Sequence, residues 1–312
     1  MSSNTSRAPE SFIANRITAL KSHTQAVILA HTYQPAEIQD CADFVGDSYA
    51  LSVEATQTSA SIIIFCGVLF MAETAAILNP RKTVIIPEPS AGCPMADMIA
   101  VGDLVRLKQE HPGHVVICYV NSTAEIKALS DICCTSSNAV SIVSKLPKDK
   151  GIIFVPDKHL GSYVQEKTSR QMVLWNGFCP THAKIRPEMV EQARRAHPRA
   201  VVLMHPEAPF QARQLADHIL STGGMCAFAR SDDHDEFIIA TENGIVHTLK
   251  KQNPEKRFYL LGPDITCPNM KKTTMELVLR SLEGSGGKRV TVEPDIAKKA
   301  YRALKKMLEM SV

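Results

Sequence analysis

An α/β protein of three similar units, each with a short parallel sheet, is the fold class this sequence predicts. Two observations point to it. Short runs of β-branched residues alternate with helical stretches, the pattern of parallel sheets buried on both faces. A set of landmark residues also recurs three times in the same order and register. The units are expected at 1–98, 99–186 and 187–312, the last with a C-terminal helix.

A helix is expected over about 11–24, where Phe12, Ile13, Ile17 and Leu20 share a face. A strand follows at Ala26-Val27-Ile28-Leu29-Ala30 and ends in His31-Thr32-Tyr33. Gly46-Asp47-Ser48 reads as a helix start. A second strand is Ile62-Ile63-Ile64-Phe65-Cys66, then a helix to about Leu78, then a third strand, Thr83-Val84-Ile85-Ile86. The second unit repeats this with Val115 to Cys118, Asp131 to Cys134 and Ile152 to Val155. The third has Val201 to Met204, Phe237 to Ala240 and Phe258 to Leu261. Near the end, Ile296, Ala300, Leu304 and Met307 line one face of a helix; Lys298, Lys299, Arg302, Lys305 and Lys306 form its solvated side.

The composition bounds the function. At 312 residues and 45% hydrophobic content, the chain can bury a large core. Its net charge of +3 comes from mixed signs, so neither a nucleic-acid nor a membrane partner is expected. The most apolar run, 61–78, is interrupted by Glu73 and Thr74 and reads as a strand and a helix rather than a span. Met1 to Ser6 carry no apolar stretch, so no secretory signal is expected. Nine cysteines then suggest thiols or metal ligands in a reducing, cytoplasmic setting.

The repeat is clearest when the units are aligned on the residue ending each first strand: His31, Tyr119 and His205. A hydroxyl residue lies 17 positions on each time, at Ser48, Ser136 and Thr222. Two positions past each anchor stand Tyr33, Asn121 and Glu207. The chain's three Cys-Pro cysteines, Cys93, Cys179 and Cys267, follow at 62, 60 and 62. Parallel α/β sheets bind ligands beyond the carboxyl ends of their strands, and helix starts attract anions. Units facing one another around a pseudo-threefold axis would therefore bring all these residues, and three thiolates, to one central site.

Three thiolates suit a [4Fe–4S] cluster with one open iron, or zinc with an open fourth position. No C-x₂-C pair of the structural zinc type occurs, and the flanking prolines favour iron–sulfur. An open iron is a Lewis acid, suited to a dehydration in which a hydroxyl leaves. Cys66, Cys118 and Cys226 read as buried thiols. Cys41, Cys133 and Cys134 receive no role. Glu242-Asn243 reads as a turn before Gly244 in preference to a pair that supports the site from behind.

Ala30-His31-Thr32-Tyr33, Gly46-Asp47-Ser48, Gly92-Cys93-Pro94-Met95-Ala96, Tyr119-Val120-Asn121-Ser122, Cys134-Thr135-Ser136-Ser137-Asn138-Ala139, Trp175-Asn176-Gly177-Phe178-Cys179, His205-Pro206-Glu207, Ser221-Thr222-Gly223-Gly224-Met225, Thr241-Glu242-Asn243-Gly244 and Cys267-Pro268-Asn269-Met270 resemble the quinolinate synthase family. The likeness runs from about 26 to 275. It implies three α/β units around a [4Fe–4S] cluster. It also implies condensation of iminoaspartate (iminosuccinate) with dihydroxyacetone phosphate to quinolinate, a step in NAD biosynthesis. An L-aspartate-oxidising enzyme would supply the imine. Residue by residue, Cys93, Cys179 and Cys267 match the cluster ligands. His31, Ser48, Tyr119, Asn121, Ser136, His205, Glu207 and Thr222 match the substrate-contacting set. Tyr33, Glu207 and His205 are the expected catalytic groups. The alternatives are another iron–sulfur hydro-lyase and a cluster-bearing redox sensor; the sensor is disfavoured by the charge balance and by the absence of a helix-turn-helix candidate.

Overall fold

In the computed structural model, which describes residues 10–311, each unit is built on four parallel strands rather than the expected three. The first holds β1 (Ala26–His31), β2 (Phe44–Gly46), β3 (Ile62–Cys66) and β4 (Thr83–Ile86). The second holds β5 (Val115–Tyr119), β6 (Ile132–Cys134), β7 (Ile152–Val155) and β8 (Val173–Leu174). The third holds β9 (Val201–Met204), β10 (His218–Ile219), β11 (Glu236–Ala240) and β12 (Arg257–Leu260). All three sheets share one strand order: β2-β1-β3-β4, β6-β5-β7-β8 and β10-β9-β11-β12. β13 (Lys288–Arg289) adds antiparallel to β4 at the edge of the first sheet.

The outer strands β2, β6, β8 and β10 are two or three residues long, and of these only β6 registered as an apolar run. Their brevity also displaced the expected register of the second unit. Ile132–Cys134, expected as the counterpart of Ile62–Cys66, is the edge strand equivalent to β2 and β10. The true counterpart of β3 is β7.

An aspartate 12 residues past each strand-end anchor fixes that edge. Asp43, Asp131 and Asp217 each accept the backbone N–H of the neighbouring strand, from Ile28, Val116 and Val202, all at 2.8 Å. Their own N–H groups donate back to the carbonyls of the same three residues. The carboxylate thus stands in for ladder bonds that so short a strand cannot supply. A hydrogen bond to a charged acceptor contributes about 1.5–3 kcal/mol and a neutral one about 1 kcal/mol. Asp43 and Asp217 also carry ion pairs with Lys21 and Arg194. Asp131→Ala is therefore the cleaner test and should cost about 1–2 kcal/mol in denaturant unfolding; an unchanged midpoint would show that the carboxylate contributes nothing.

Behind two anchors, a helix begins on the predicted hydroxyl residue: Ser48–Gln57 and Thr222–Ser231. The caps are Asp47, which accepts from Ala50 N at 2.9 Å, and Ser221, which accepts from Gly224 N at 3.1 Å. In the second unit Ser136 is not a helix start. It lies in a turn, and the helix begins at Ala139 (Ala139–Ser144). The Asn138 side chain accepts Thr135 N at 2.6 Å and closes that turn.

Helix Glu10–Thr24 buries Ile13 and Ile17, but Phe12 faces solvent, contrary to its expected place on the apolar face. Run 61–78 is β3 and helix Leu69–Leu78. Among the described residues, no helix is long and apolar enough to cross a membrane. The C-terminal segment leaves the third unit. Helix Met275–Leu282 packs on Glu10–Thr24, and Pro294–Met310 lies across Leu69–Leu78, Ala124–Ala128 and β6. It buries Ala300, Leu304 and Met307 and ties the first two units together.

Candidate active site

The carboxyl ends of the three sheets meet at one cavity of about 140 Å³. His31 ends β1, Tyr119 ends β5, and His205 directly follows β9. The cavity is lined by His31, Tyr33, Ser48, Tyr119, Asn121, Ser136, His205, Glu207 and Thr222 together with Cys93, Cys179 and Cys267. All twelve sequence candidates are thus brought together, and each unit contributes to the wall.

Two imidazoles are fixed as neutral donors by their own backbone. The N–H of Tyr33 donates to His31 Nδ1 at 3.1 Å, and the N–H of Glu207 donates to His205 Nδ1 at 3.4 Å. Nε2 must then carry the proton in each ring. His205 Nε2 meets Ser136 Oγ at 3.2 Å. Burial lowers His31 to about 4 and His205 to about 3, so both rings are neutral near pH 7.

Glu207 is 3% exposed and carries two strong hydrogen bonds. Tyr119 Oη donates to its Oε1 at 2.5 Å, and His182 Nδ1 lies 2.8 Å from Oε2. Burial alone would raise this carboxyl. The adjoining imidazoles and the two hydrogen bonds outweigh it and hold Glu207 below the usual carboxylate range. Burial and the Glu207 charge push the Tyr119 phenol up. Burial likewise raises Tyr33, whose Oη meets Thr222 Oγ1 at 2.8 Å and Thr241 Oγ1 at 2.7 Å. Asn121 Oδ1 is buried without a hydrogen-bond partner, which leaves an amide face for a ligand.

The three cysteines sit on turns of similar build. The carbonyls of Cys93 and Cys267 accept from the N–H three residues on, and that of Cys179 from the N–H four residues on. Proline suits the second position of such a turn because its missing N–H is not needed there. Trp175 Nε1 donates to Met98 O at 2.9 Å and joins the Cys93 and Cys179 loops. Burial pushes the Cys93 thiol up to about 12 and the Cys179 thiol well above its ordinary range; Glu207 and a neighbouring cysteine reinforce both. Three soft donors crowded into one cavity fit a metal centre that would take them as thiolates. Cys179 Sγ, a His182 ring nitrogen and a Glu207 oxygen also lie within 4.8 Å of one another.

Sequence reasoning gave no role to His182 or Asp47 and read Glu242-Asn243 as a turn. His182, three residues after Cys179, stacks on His205 with centroids 4.6 Å apart and links Cys179, Glu207 and Thr241. Asp47 joins all three units: besides capping its own helix, its Oδ2 accepts Ser137 Oγ at 3.0 Å and Gly223 N at 3.1 Å. Gly223 permits that approach, since a Cβ there would stand 2.7 Å from the same oxygen. Glu242 does more than turn the chain toward Gly244. It is fully buried, accepts Cys267 N at 3.0 Å and pairs with Lys271 at 2.9 Å, so it holds a candidate ligand loop. Its neighbour Asn243 holds the same loop through Gly262 O and Thr266 Oγ1.

Comparison with known proteins places this geometry. Residues 15–309 match the model of the quinolinate synthetase A protein family (NadA). The quinolinate synthase of Dehalococcoides mccartyi strain CBDB1 is 49% identical over 96% of this chain and 98% of its own length. That of Thermodesulfovibrio yellowstonii is 50% identical over 94% and 97%, and that of Methanosarcina barkeri 49% over 96% and 98%.

Proposed function

The chain belongs to the quinolinate synthetase A family, and we propose that its central cavity condenses iminoaspartate with dihydroxyacetone phosphate, releasing quinolinate, phosphate and water. This is an enzymatic step of NAD biosynthesis. The observation that carries the reading is the convergence of three Cys-Pro cysteines from three units on one cavity whose polar lining suits anions.

Cys93, Cys179 and Cys267 would hold a [4Fe–4S] cluster. When bound, it supplies a Lewis-acidic iron that lacks a cysteine ligand. The chain's own residues do the rest. Ser48 and Thr222 offer hydroxyls and helix N-termini to the substrates' phosphate and carboxylates. Ser136 adds a third hydroxyl. His31 and His205, neutral with Nε2–H outward, donate to substrate oxygens without adding charge. Asn121 offers its unpartnered amide. Glu207 and Tyr33 take up or deliver protons at the reacting carbons, with the Tyr119 hydroxyl hydrogen-bonded to Glu207. Both substrates are small and unstable molecules need short paths, so an L-aspartate-oxidising enzyme in the same cytoplasmic compartment is the expected source of imine. No nucleic acid and no membrane enters the scheme.

The test is turnover by protein purified without air. Iminoaspartate, generated in place by an aspartate-oxidising enzyme, and dihydroxyacetone phosphate should together yield quinolinate. Iron and sulfide should approach four each per chain. Cluster-loaded protein that makes no quinolinate, yet dehydrates a hydroxy acid, would move the assignment to a hydro-lyase.

A further inference from the structure

We propose that Lys127 is the residue that selects anionic substrates: its buried ammonium supplies, from behind the wall, the positive charge that the cavity itself lacks. The proposal rests on the quinolinate-forming reading of the site. Among the described residues, the cavity wall holds three carboxylates, Asp47, Glu207 and Glu242, and no lysine or arginine. His31 and His205 in that wall are neutral near pH 7. Iminoaspartate, dihydroxyacetone phosphate and quinolinate all carry carboxylates or phosphate. Hydroxyls can orient such groups, but they do not balance their charge.

Two cations are buried among the described residues, and only one of them is paired. Arg213 meets Glu166 at 2.5 Å. Lys127, in the helix Ala124–Ala128 beneath Pro294–Met310, forms no ion pair; Glu73 and Glu125 act on it only from a distance. An ammonium taken out of water without a counter-ion costs stability, so the fold alone gives no reason to keep it. Its contacts run toward the cavity wall. Nζ donates to Ser122 O at 2.5 Å and lies 5.4 Å from the centre of the Phe70 ring. Phe70 lines the cavity, and Ser122 follows Asn121, which lines it too. Ser122 Oγ donates to Tyr119 O at 2.7 Å and closes the turn between these wall residues. The charge thus stands one ring and one turn behind the surface that meets substrate. Buried matter between the two screens its field far less than water would.

The Cys118 thiol beside Ser122 is lowered to about 7: burial, which raises it, is outweighed by the Cys133 thiol and the Lys127 charge. Binding is therefore compared at pH 6, where that thiol is protonated. Lys127→Gln keeps a donor for Ser122 O and removes the charge; Lys127→Met removes both with little change in volume. In cluster-loaded protein, calorimetry should show quinolinate, a dianion, bound about tenfold more weakly by each variant, the order of one charge pair acting through a protein. Picolinate, which lacks one of the two carboxylates, should lose only about threefold, because the loss scales with ligand charge. In turnover, KM for dihydroxyacetone phosphate should rise about tenfold and kcat stay within about twofold, since the field acts on bound and reacting states alike. Iron content should match wild type. If Lys127→Met does not fold, Lys127→Gln carries the test. Wild-type quinolinate affinity in Lys127→Gln, or equal losses for quinolinate and picolinate, would overturn the proposal alone. The first result would assign any effect to the hydrogen bond, the second to a change of shape. A wild-type enzyme that makes no quinolinate would overturn it together with the functional reading.

Discussion

Cys93→Ser, Cys179→Ser and Cys267→Ser should each abolish bound iron and, with it, quinolinate formation. The substitution replaces one sulfur by oxygen, so the turns that carry these residues should survive: they are held by backbone hydrogen bonds, by the Trp175–Met98 contact and by Glu242 on Cys267 N, not by the thiols. The ligand set does not survive, because soft thiolates are the donors an iron–sulfur cluster selects. Each unit supplies one cysteine, so no neighbouring thiol can substitute. Cys66 and Cys118 are fully buried in β3 and β5 and lie outside the cavity lining. Serine at either should leave iron and sulfide intact. Iron and sulfide content, the visible spectrum and far-ultraviolet dichroism of each variant decide the matter. Full iron and sulfide in all three Cys-Pro variants would remove the cysteines from the metal centre.

How much of this was legible in the sequence follows from what kind of signal each feature leaves. Strands buried on both faces leave continuous β-branched runs, so β1, β3, β4, β5, β7, β9 and β11 could be read directly. So could β12 and, though assigned the wrong place in its unit, β6; β2, β8 and β10 could not, since two or three residues carry no periodicity. A cue did exist: Asp43, Asp131 and Asp217 stand 12 residues past the anchors, as regular as the hydroxyl set. Site residues that repeat across units, such as His31 and His205 or Ser48 and Thr222, were visible because three copies reinforce one another. Residues with no counterpart were not. His182 has no equivalent after Cys93 or Cys267, and Glu242 acts through the backbone of a residue 25 positions away, a distance no local pattern encodes. Asp47 was quoted in a motif, yet its reach to Ser137 and Gly223 exists only after the units pack. The path of the C-terminal helix onto the first two units was hidden for the same reason: an amphipathic face says that a helix is covered, not by what.

Glu207→Gln should lower kcat by roughly 10²–10⁴-fold, the contribution of a general acid–base group, while iron content and quinolinate affinity stay near wild type. A carboxylate is a poor choice for gripping two acidic substrates, which it repels, so its place two residues past His205 is better explained by proton transfer. The geometry sharpens the expectation. Tyr119 Oη and His182 Nδ1 both donate to Glu207, one to each oxygen. A glutamine has one acceptor oxygen and one NH₂ group, so it can satisfy only one of these donors. The other must turn away. Glu207→Gln therefore removes a proton acceptor and loses one of its two contacts, with little change in volume. Tyr119→Phe serves as the comparison: it removes one donor but leaves the charge and the His182 contact, so its loss should be smaller than that of Glu207→Gln. Turnover with both substrates, the cluster spectrum and quinolinate binding should be measured on each. Near-normal kcat in Glu207→Gln with the cluster present would take Glu207 out of the catalytic set.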